Sequence, residues 1–224
     1  MAGSGGGLIV LRPAASTFDL PRFVLVVYLA WWTALAISPT YRADWLLENL
    51  MLFVAVPIVV WSRPRIPFSN PAYVALFVMF ALHTLGAHYT YAETPYREWF
   101  EALSGGGIAE GSAWQRNHFD RFVHFAYGLL VIPAADELLQ ARAPSRGLWR
   151  VLLPFTFVTS HAAIYEVIEW IAALVFGGEL GIAYLGTQGD EWDAVKDMAA
   201  AITGSVIALA LWLPWSRRWK TARA

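Results

Sequence analysis

The sequence predicts an all-α fold: a polytopic integral membrane bundle of about six transmembrane helices with both termini cytoplasmic. Three observations carry that prediction. Of the 224 residues, 58% are hydrophobic and 15% charged, against about 25% charged in soluble domains, and the mean hydropathy is +0.47. The apolar residues gather into runs close to the ~20 residues that cross a bilayer as helix. Finally, the basic residues between these runs fall mainly on one side.

Residues 1–19 are expected to form a flexible cytoplasmic segment. The apolar run Leu8 to Leu11 is stopped by Arg12-Pro13 and lacks the basic flank and length of a secretory signal. The first spanning run is about Leu20 to Ile37, ended by Ser38-Pro39, and the second about Trp45 to Trp61, ended by Arg63-Pro64-Arg65. A third extends from about Pro71 to His88. The long polar stretch Tyr89 to Asn117 follows, broken by Gly105-Gly106-Gly107. The remaining runs are about Phe122 to Leu139, Leu148 to Phe176 and Met198 to Trp215. Residues 20–215 thus read as one transmembrane domain with outer loops at 89–119 and 177–194, in which Gly177, Gly178 and Gly181 read as loop glycines. A basic tail occupies 216–224. Trp31, Trp32, Trp45, Trp61, Trp212 and Trp215 sit near run ends, where indole rings anchor at the interface.

With the N-terminus inside, 11 of the 16 Lys and Arg residues flank the cytoplasmic ends and 14 of the 17 Asp and Glu residues belong to the outer half. That is the bias which orients membrane helices. A net charge of −1 therefore conceals a polarised molecule. It also lacks the basic footprint of a nucleic-acid binder, and the hydropathy excludes a soluble enzyme. With no cysteine, disulfide scaffolds, thiolate metal sites and cysteine nucleophiles are excluded.

Four groups of ionisable residues abut the outer ends of the helices. The third run ends in His83 and His88. The fourth opens with His118, Asp120, Arg121 and His124, where Asp120 and His124 share a face. The fifth carries His161, Tyr165, Glu166 and Glu169 in its outer half, the first, second and fourth on one stripe. Before the sixth, Asp190, Asp193 and Asp197 fall at i, i+3 and i+7 and read as one acidic stripe. Charge at membrane depth is costly and usually marks a functional site. So many carboxylates together repel one another unless a cation or protons intervene. Carboxylate and imidazole ligands together suit Zn, Mn or Fe, and carboxylates alone suit Mg or Ca. Asp120, His124, Glu166, Glu169, Asp190, Asp193 and Asp197 are the candidate ligands of a divalent metal (Zn, Mn, Fe or Mg). His83, His88 and His161 are the candidate catalytic bases or ligand-orienting groups. Structural roles compete: Asp190 and Asp193 suit helix capping, Asp120 suits an ion pair with Arg116 or Arg121, and His161 suits a bond to a nearby carbonyl.

The segments His83 to Ala92, Asn117 to Phe125, Tyr165 to Trp170 and Leu185 to Asp193 through Met198 resemble the bacterial inner-membrane protein YjdF family, over about Pro64 to Trp212. The resemblance implies a multi-pass protein of the bacterial inner membrane and no particular reaction. A looser similarity to VanZ-like membrane proteins rests on Asp120, Arg121, His124 and Phe125, with Arg121 where those have Lys, and on Glu166, Glu169, Asp197 and Gly204. It implies a role at the cell envelope by analogy alone.

Three functions fit these residues. The first is a metal-dependent hydrolase or transferase acting on a lipid or envelope-linked substrate, with membrane lipids as its surroundings and no nucleic-acid partner. An accessory or structural protein with a cation-stabilised core comes second. An ion-coupled transporter is third, since the inner halves of the runs show no polar path.

Overall fold

The computed structural model describes residues 18–105 and 116–221. Among them there are eight helices and no strand. The six expected runs are all helical: α1 (Leu20–Leu35), α2 (Arg42–Ser62), α3 (Asn70–His88), α5 (Phe119–Arg142), α6 (Trp149–Phe176) and α8 (Asp193–Thr221). Five of them are long and apolar enough to cross a membrane, whereas α1 is shorter at 16 residues. Two further helices lie where loops were expected, α4 (Tyr96–Ser104) and α7 (Gly178–Leu185). Gly178 and Gly181 therefore belong to a helix: a Cβ on Gly181 would sit 2.7 Å from the Ala173 carbonyl oxygen of α6, so its missing side chain permits α7 to fold back. Most of the N-terminal segment, part of the Gly105–Gly107 break and the end of the basic tail lie outside the described residues.

Local signals explain the boundaries. Asp19 accepts a hydrogen bond from the Arg22 backbone nitrogen, and Ser69 from that of Ala72, with a proline in the first turn after each. Side-chain oxygens in this position satisfy otherwise orphaned first-turn N–H groups. Gly105 (φ +70°) ends α4 and Gly186 (φ +61°) ends α7, both in the left-handed region that glycine enters without penalty.

The helix order in space runs α1–α3–α5–α8, with α6 against both α5 and α8, and α2 against α3 and α7. The α5–α8 crossing is the hub. A Cβ on Gly128 would overlap the backbone of Ala201 and Ser205, and one on Gly204 would overlap the backbone of Phe125 and Leu129. Reciprocal glycines of this kind permit the close backbone approach typical of membrane helix pairs. Below the crossing, Ile132, Ala135, Val158, Ala208, Leu209, Trp212 and Leu213 form the largest apolar core. Large apolar side chains remain exposed on the perimeter, among them Val54, Ile171, Leu174 and Leu211. In a bilayer that perimeter faces lipid. Two of the tryptophans assigned to interface anchoring pack inside instead: Trp45 and Trp212 are buried, and Trp212 donates to Asp136 Oδ2 at 3.1 Å.

Candidate functional site

The hub places the amino-terminal turns of α5 and α8 side by side. As a result Asp120, Asp193 and Asp197 each offer a carboxylate oxygen within 4.8 Å of the others. Asp193 and Asp197 are buried and Asp120 is half-buried. One turn along α5, His124 Nε2 lies 3.6 Å from Asp120 Oδ1 and 3.3 Å from Glu166 Oε1 of α6. Glu169, a turn beyond Glu166, is buried as well. Six of the seven expected metal ligands thus come from three helices that meet at one end of the bundle: Asp120 and His124 from α5, Glu166 and Glu169 from α6, and Asp193 and Asp197 from α8.

Two arginines enter the same cluster. Arg116 contacts Asp193 directly, lies 3.4 Å from Asp190 Oδ2, and donates to the Thr187 carbonyl at 2.6 Å. Arg121 contacts Asp190 directly, and its Nε stands 3.8 Å from Asp197 Oδ1. Lys196 Nζ completes the group at 2.7 Å from Asp190 Oδ2. The hydrogen bond from Lys196, then those from the Trp192 backbone and Arg121, hold the Asp190 carboxyl well below the usual carboxylate range. Asp190 precedes α8 and is fully engaged by cations, so the acidic stripe on α8 itself consists of Asp193 and Asp197. The expected ion pair of Asp120 with Arg116 or Arg121 does not form. Both guanidinium groups go to the α8 side, and Asp120 keeps His124 as its neighbour.

The histidines separate into two sets. His83, His124 and His161 line a cavity of about 250 Å³ with Asp120, Tyr165 and otherwise apolar residues including Met51, Val123 and Ile168. His88 lies elsewhere, bonded through Nδ1 to the Leu35 carbonyl at 2.7 Å and edge-on to Tyr89. His118 flanks α5 and accepts from Arg121 at 3.2 Å. Within the cavity the protonation of His83 is settled by its partners. The Glu48 carbonyl can only accept, so Nε2 donates to it at 3.0 Å, and Nδ1 accepts from the Tyr91 hydroxyl. Burial and the neighbouring Glu48 push the Tyr91 phenol well above its ordinary range, which keeps the proton on its oxygen. His83 is therefore fully occupied. His161 Nδ1 donates to the Phe157 carbonyl at 2.7 Å, which leaves Nε2 as its other ring nitrogen.

The sequence predicts the helix α2 but not its buried polar residues. Asp44, Glu48 and Asn49 are all buried, and Glu48 Oε2 accepts from Tyr165 across the bundle at 3.0 Å. Asn49 bonds Trp32 at 2.6 Å. The available signal was the spacing of Asp44 and Glu48, four apart at the start of an apolar run. The cavity opens beside this helix: α2 and α6 do not pack along each other, and the wall residues Met51, Ile164 and Ile168 are 40%, 54% and 49% exposed. These three apolar side chains belong to the exposed perimeter of the bundle.

Comparison with known proteins agrees with this arrangement. A family model described as predicted membrane protein (DUF2238) matches residues 20–218. The chain belongs to that family. It is also 32% identical over 171 residues to the inner membrane protein YjdF of Escherichia coli (strain K12), covering 76% of this chain and 78% of the relative. No solved structure matches. The family model begins at the first residue of α1 and takes in all eight helices, so the assignment covers the whole described bundle. This family member is a multi-pass helical membrane protein, and the inner-membrane location expected from the sequence agrees with the relative's name.

Proposed function

We propose that this protein is a cation-dependent membrane hydrolase or transferase whose substrate is a lipid or a lipid-linked envelope molecule. The observation that carries the reading is the Asp120–Asp193–Asp197 group beside a cavity walled in part by apolar side chains of the exposed perimeter. Among the described residues, only three permanent cations, Arg116, Arg121 and Lys196, pair with any of the seven carboxylates at this end (Glu48, Asp120, Glu166, Glu169, Asp190, Asp193 and Asp197). Asp197 Oδ1 and Glu166 Oε1 are buried without a hydrogen-bond partner, a costly state that a bound cation relieves. A ligand set of carboxylates favours Mg or Mn over Zn or Fe. Such an ion polarises a phosphoryl or acyl oxygen and acidifies bound water. His124, held between Asp120 and Glu166, is the group placed to accept a proton, and His161 lines the cavity that a substrate would enter. The basic residues at the opposite end favour an orientation with this end outward from the inner membrane.

The test is elemental analysis of the purified protein, with Asp120→Asn and Asp197→Asn as variants. A stoichiometric divalent ion that both variants lose is the expected result. Protein that binds no divalent ion when supplied with Mg, Mn and Zn overturns the reading. The second reading, an accessory protein with a purely structural clasp, is favoured by one observation: Arg116 and Arg121 already bridge α5 to the α8 acids. Under it, Arg121→Gln lowers thermal stability while metal content stays at zero.

A further inference from the structure

The amino-terminal turn of α2 carries a charge that nothing above employs. Asp44 has no exposed surface, and neither of its carboxylate oxygens has a hydrogen-bond partner. A buried carboxylate in that state is among the costliest groups a fold can hold. The nearest basic residue in the chain is turned elsewhere: Arg42 donates to the Ala36 carbonyl at 2.8 Å and lies over the Trp45 ring, 5.2 Å from its centre. Asp44 forms part of the wall of a cavity of about 680 Å³ bounded by α2, the turn after α3 and α7. Two more acids, Glu93 and Glu179, line it, and no Lys, Arg or His does. The other walls include the Tyr41 ring, Leu180 and Ile182. This cavity shares no wall residue with the one that holds His83 and His124.

The occupant can be argued from size and chemistry. The volume falls in the ~300–1,000 Å³ range of small-molecule sites, whereas one water occupies about 30 Å³ of liquid, so a lone metal ion would leave most of the space unfilled. Three carboxylates ask for positive charge, and a tyrosine ring with two aliphatic side chains suits methylene groups and a cation over an aromatic face. The turn that forms one side is itself constrained: Thr90 and Tyr91 both have φ of +51°, a left-handed conformation that such residues adopt only where the surrounding structure holds them in it. We propose that this cavity is a second site, which binds an organic ammonium group with Asp44 as its buried counter-charge. Two sources present that chemistry, a soluble amine and the headgroup of an aminophospholipid.

The experiment uses the full chain in nanodiscs. In phosphatidylglycerol discs, which contain no ammonium, putrescine or spermidine is titrated by calorimetry and by thermal melting, with MgCl₂ as a parallel probe. In the other arm, phosphatidylethanolamine discs are compared with phosphatidylglycerol discs without added amine. Saturable stabilisation by the soluble amines, or by phosphatidylethanolamine, supports the site and says which source fills it. Asp44→Asn should weaken amine binding at least about tenfold while melting no lower than the parent without amine, because it removes an unpaired buried charge. Should that variant not fold, Glu93→Gln/Glu179→Gln on the rim provides the same test with an expected loss of about tenfold. No response to either amine or to the ethanolamine lipid, or a response to MgCl₂ alone, overturns the proposal. Asp197→Asn leaves the amine response intact, so this site and the cation site fail independently.

Discussion

Replacing Gly204 by valine probes the crossing on which the candidate site depends. A Cβ at Gly204 would stand 2.9 Å from the Leu129 backbone nitrogen, 3.1 Å from the Phe125 carbonyl carbon and closer still to its oxygen. These are helix backbone atoms, which cannot rotate aside, so α5 and α8 must move apart. Overpacking of this sort typically costs about 1–3 kcal/mol. Because the obstacle is backbone and valine adds three carbons, the upper end applies, roughly 3 kcal/mol. For a chain of this length, where 1 kcal/mol moves the midpoint by about 2–4 °C, the melting temperature should fall by roughly 6–12 °C. Separating the helices also pulls Asp120 away from Asp193 and Asp197, so stabilisation by added Mn or Mg should shrink in the same variant. Thermal melts of the purified protein, with and without the ion, measure both. Gly105→Ala is the control: nothing lies within 4 Å of its Cβ, and only its φ of +70° makes alanine cost about 1–2 kcal/mol. A Gly204→Val protein that melts within about 2 °C of the parent and keeps its ion response would refute the close-packed hub.

Acid should weaken the α5–α8 junction. The folded protein holds the Asp190 carboxyl below its ordinary value, so its contribution is complete above about pH 4 and is lost as pH falls below that; melts between pH 6 and pH 3 should show a smaller acid loss for Asp190→Asn than for the parent. Tyr91→Phe leaves the buried His83 Nδ1 without its donor and should cost about 1–3 kcal/mol in thermal or denaturant melts; an unchanged midpoint would show that the bond contributes nothing. At the other end of the bundle, Asp136→Asn removes the charge opposite Arg150 and weakens the acceptor of Trp212. It should destabilise by roughly 3 kcal/mol yet leave the metal content unchanged, and loss of metal there would mean that the two ends are coupled.

The spans were legible because hydropathy acts over windows of spanning length, and membrane helices must satisfy their backbones internally. Each of the six runs is a helix, five with ends within three residues of expectation, while α8 extends five and six residues beyond the expected Met198 to Trp215. The two short helices were not legible. α4 is amphipathic and only nine residues long, and α7 begins and ends at glycines that also suit a loop. Periodicity placed Asp120 with His124, and Asp193 with Asp197, because i, i+4 neighbours share a face whatever the tertiary fold. It did not separate Asp190 from them, since the start of α8 falls between residues 190 and 193. Nor could spacing tell that Arg116 and Arg121 pair with the α8 acids instead of Asp120, which depends on the glycine crossing. Asp44 and Glu48 escaped because two acids near the start of an apolar run also fit an interfacial helix end. Their burial depends on α3, α6 and the turn containing Tyr91, none of which is local in sequence.

The two ends of the bundle treat buried charge differently. Near the basic end, acids meet partners nearly one for one: Asp19 with Arg63 at 2.7 Å and Arg22 at 3.1 Å, Asp136 with Arg150 at 3.1 Å, and Glu137 with the Ser69 backbone nitrogen at 2.7 Å. The fold is thus capable of matching its carboxylates where only packing is at stake. At the other end neither carboxylate oxygen of Asp44 has a hydrogen-bond partner, Glu48 meets the Tyr165 hydroxyl and, at 3.9 Å, His83, Asp120 and Glu166 share His124, and the only cation paired with Asp197 among the described residues is Arg121, at 3.8 Å. If negative charge there served only to join helices, arginines such as those at Asp190 and Asp193 would be the economical solution throughout. They stop short of Asp120 and Asp44, and those two carboxylates line the two cavities. An uncompensated charge that borders open space is costly unless a ligand brings the opposite sign, so the surplus at this end supports the two binding sites proposed above over a purely structural clasp.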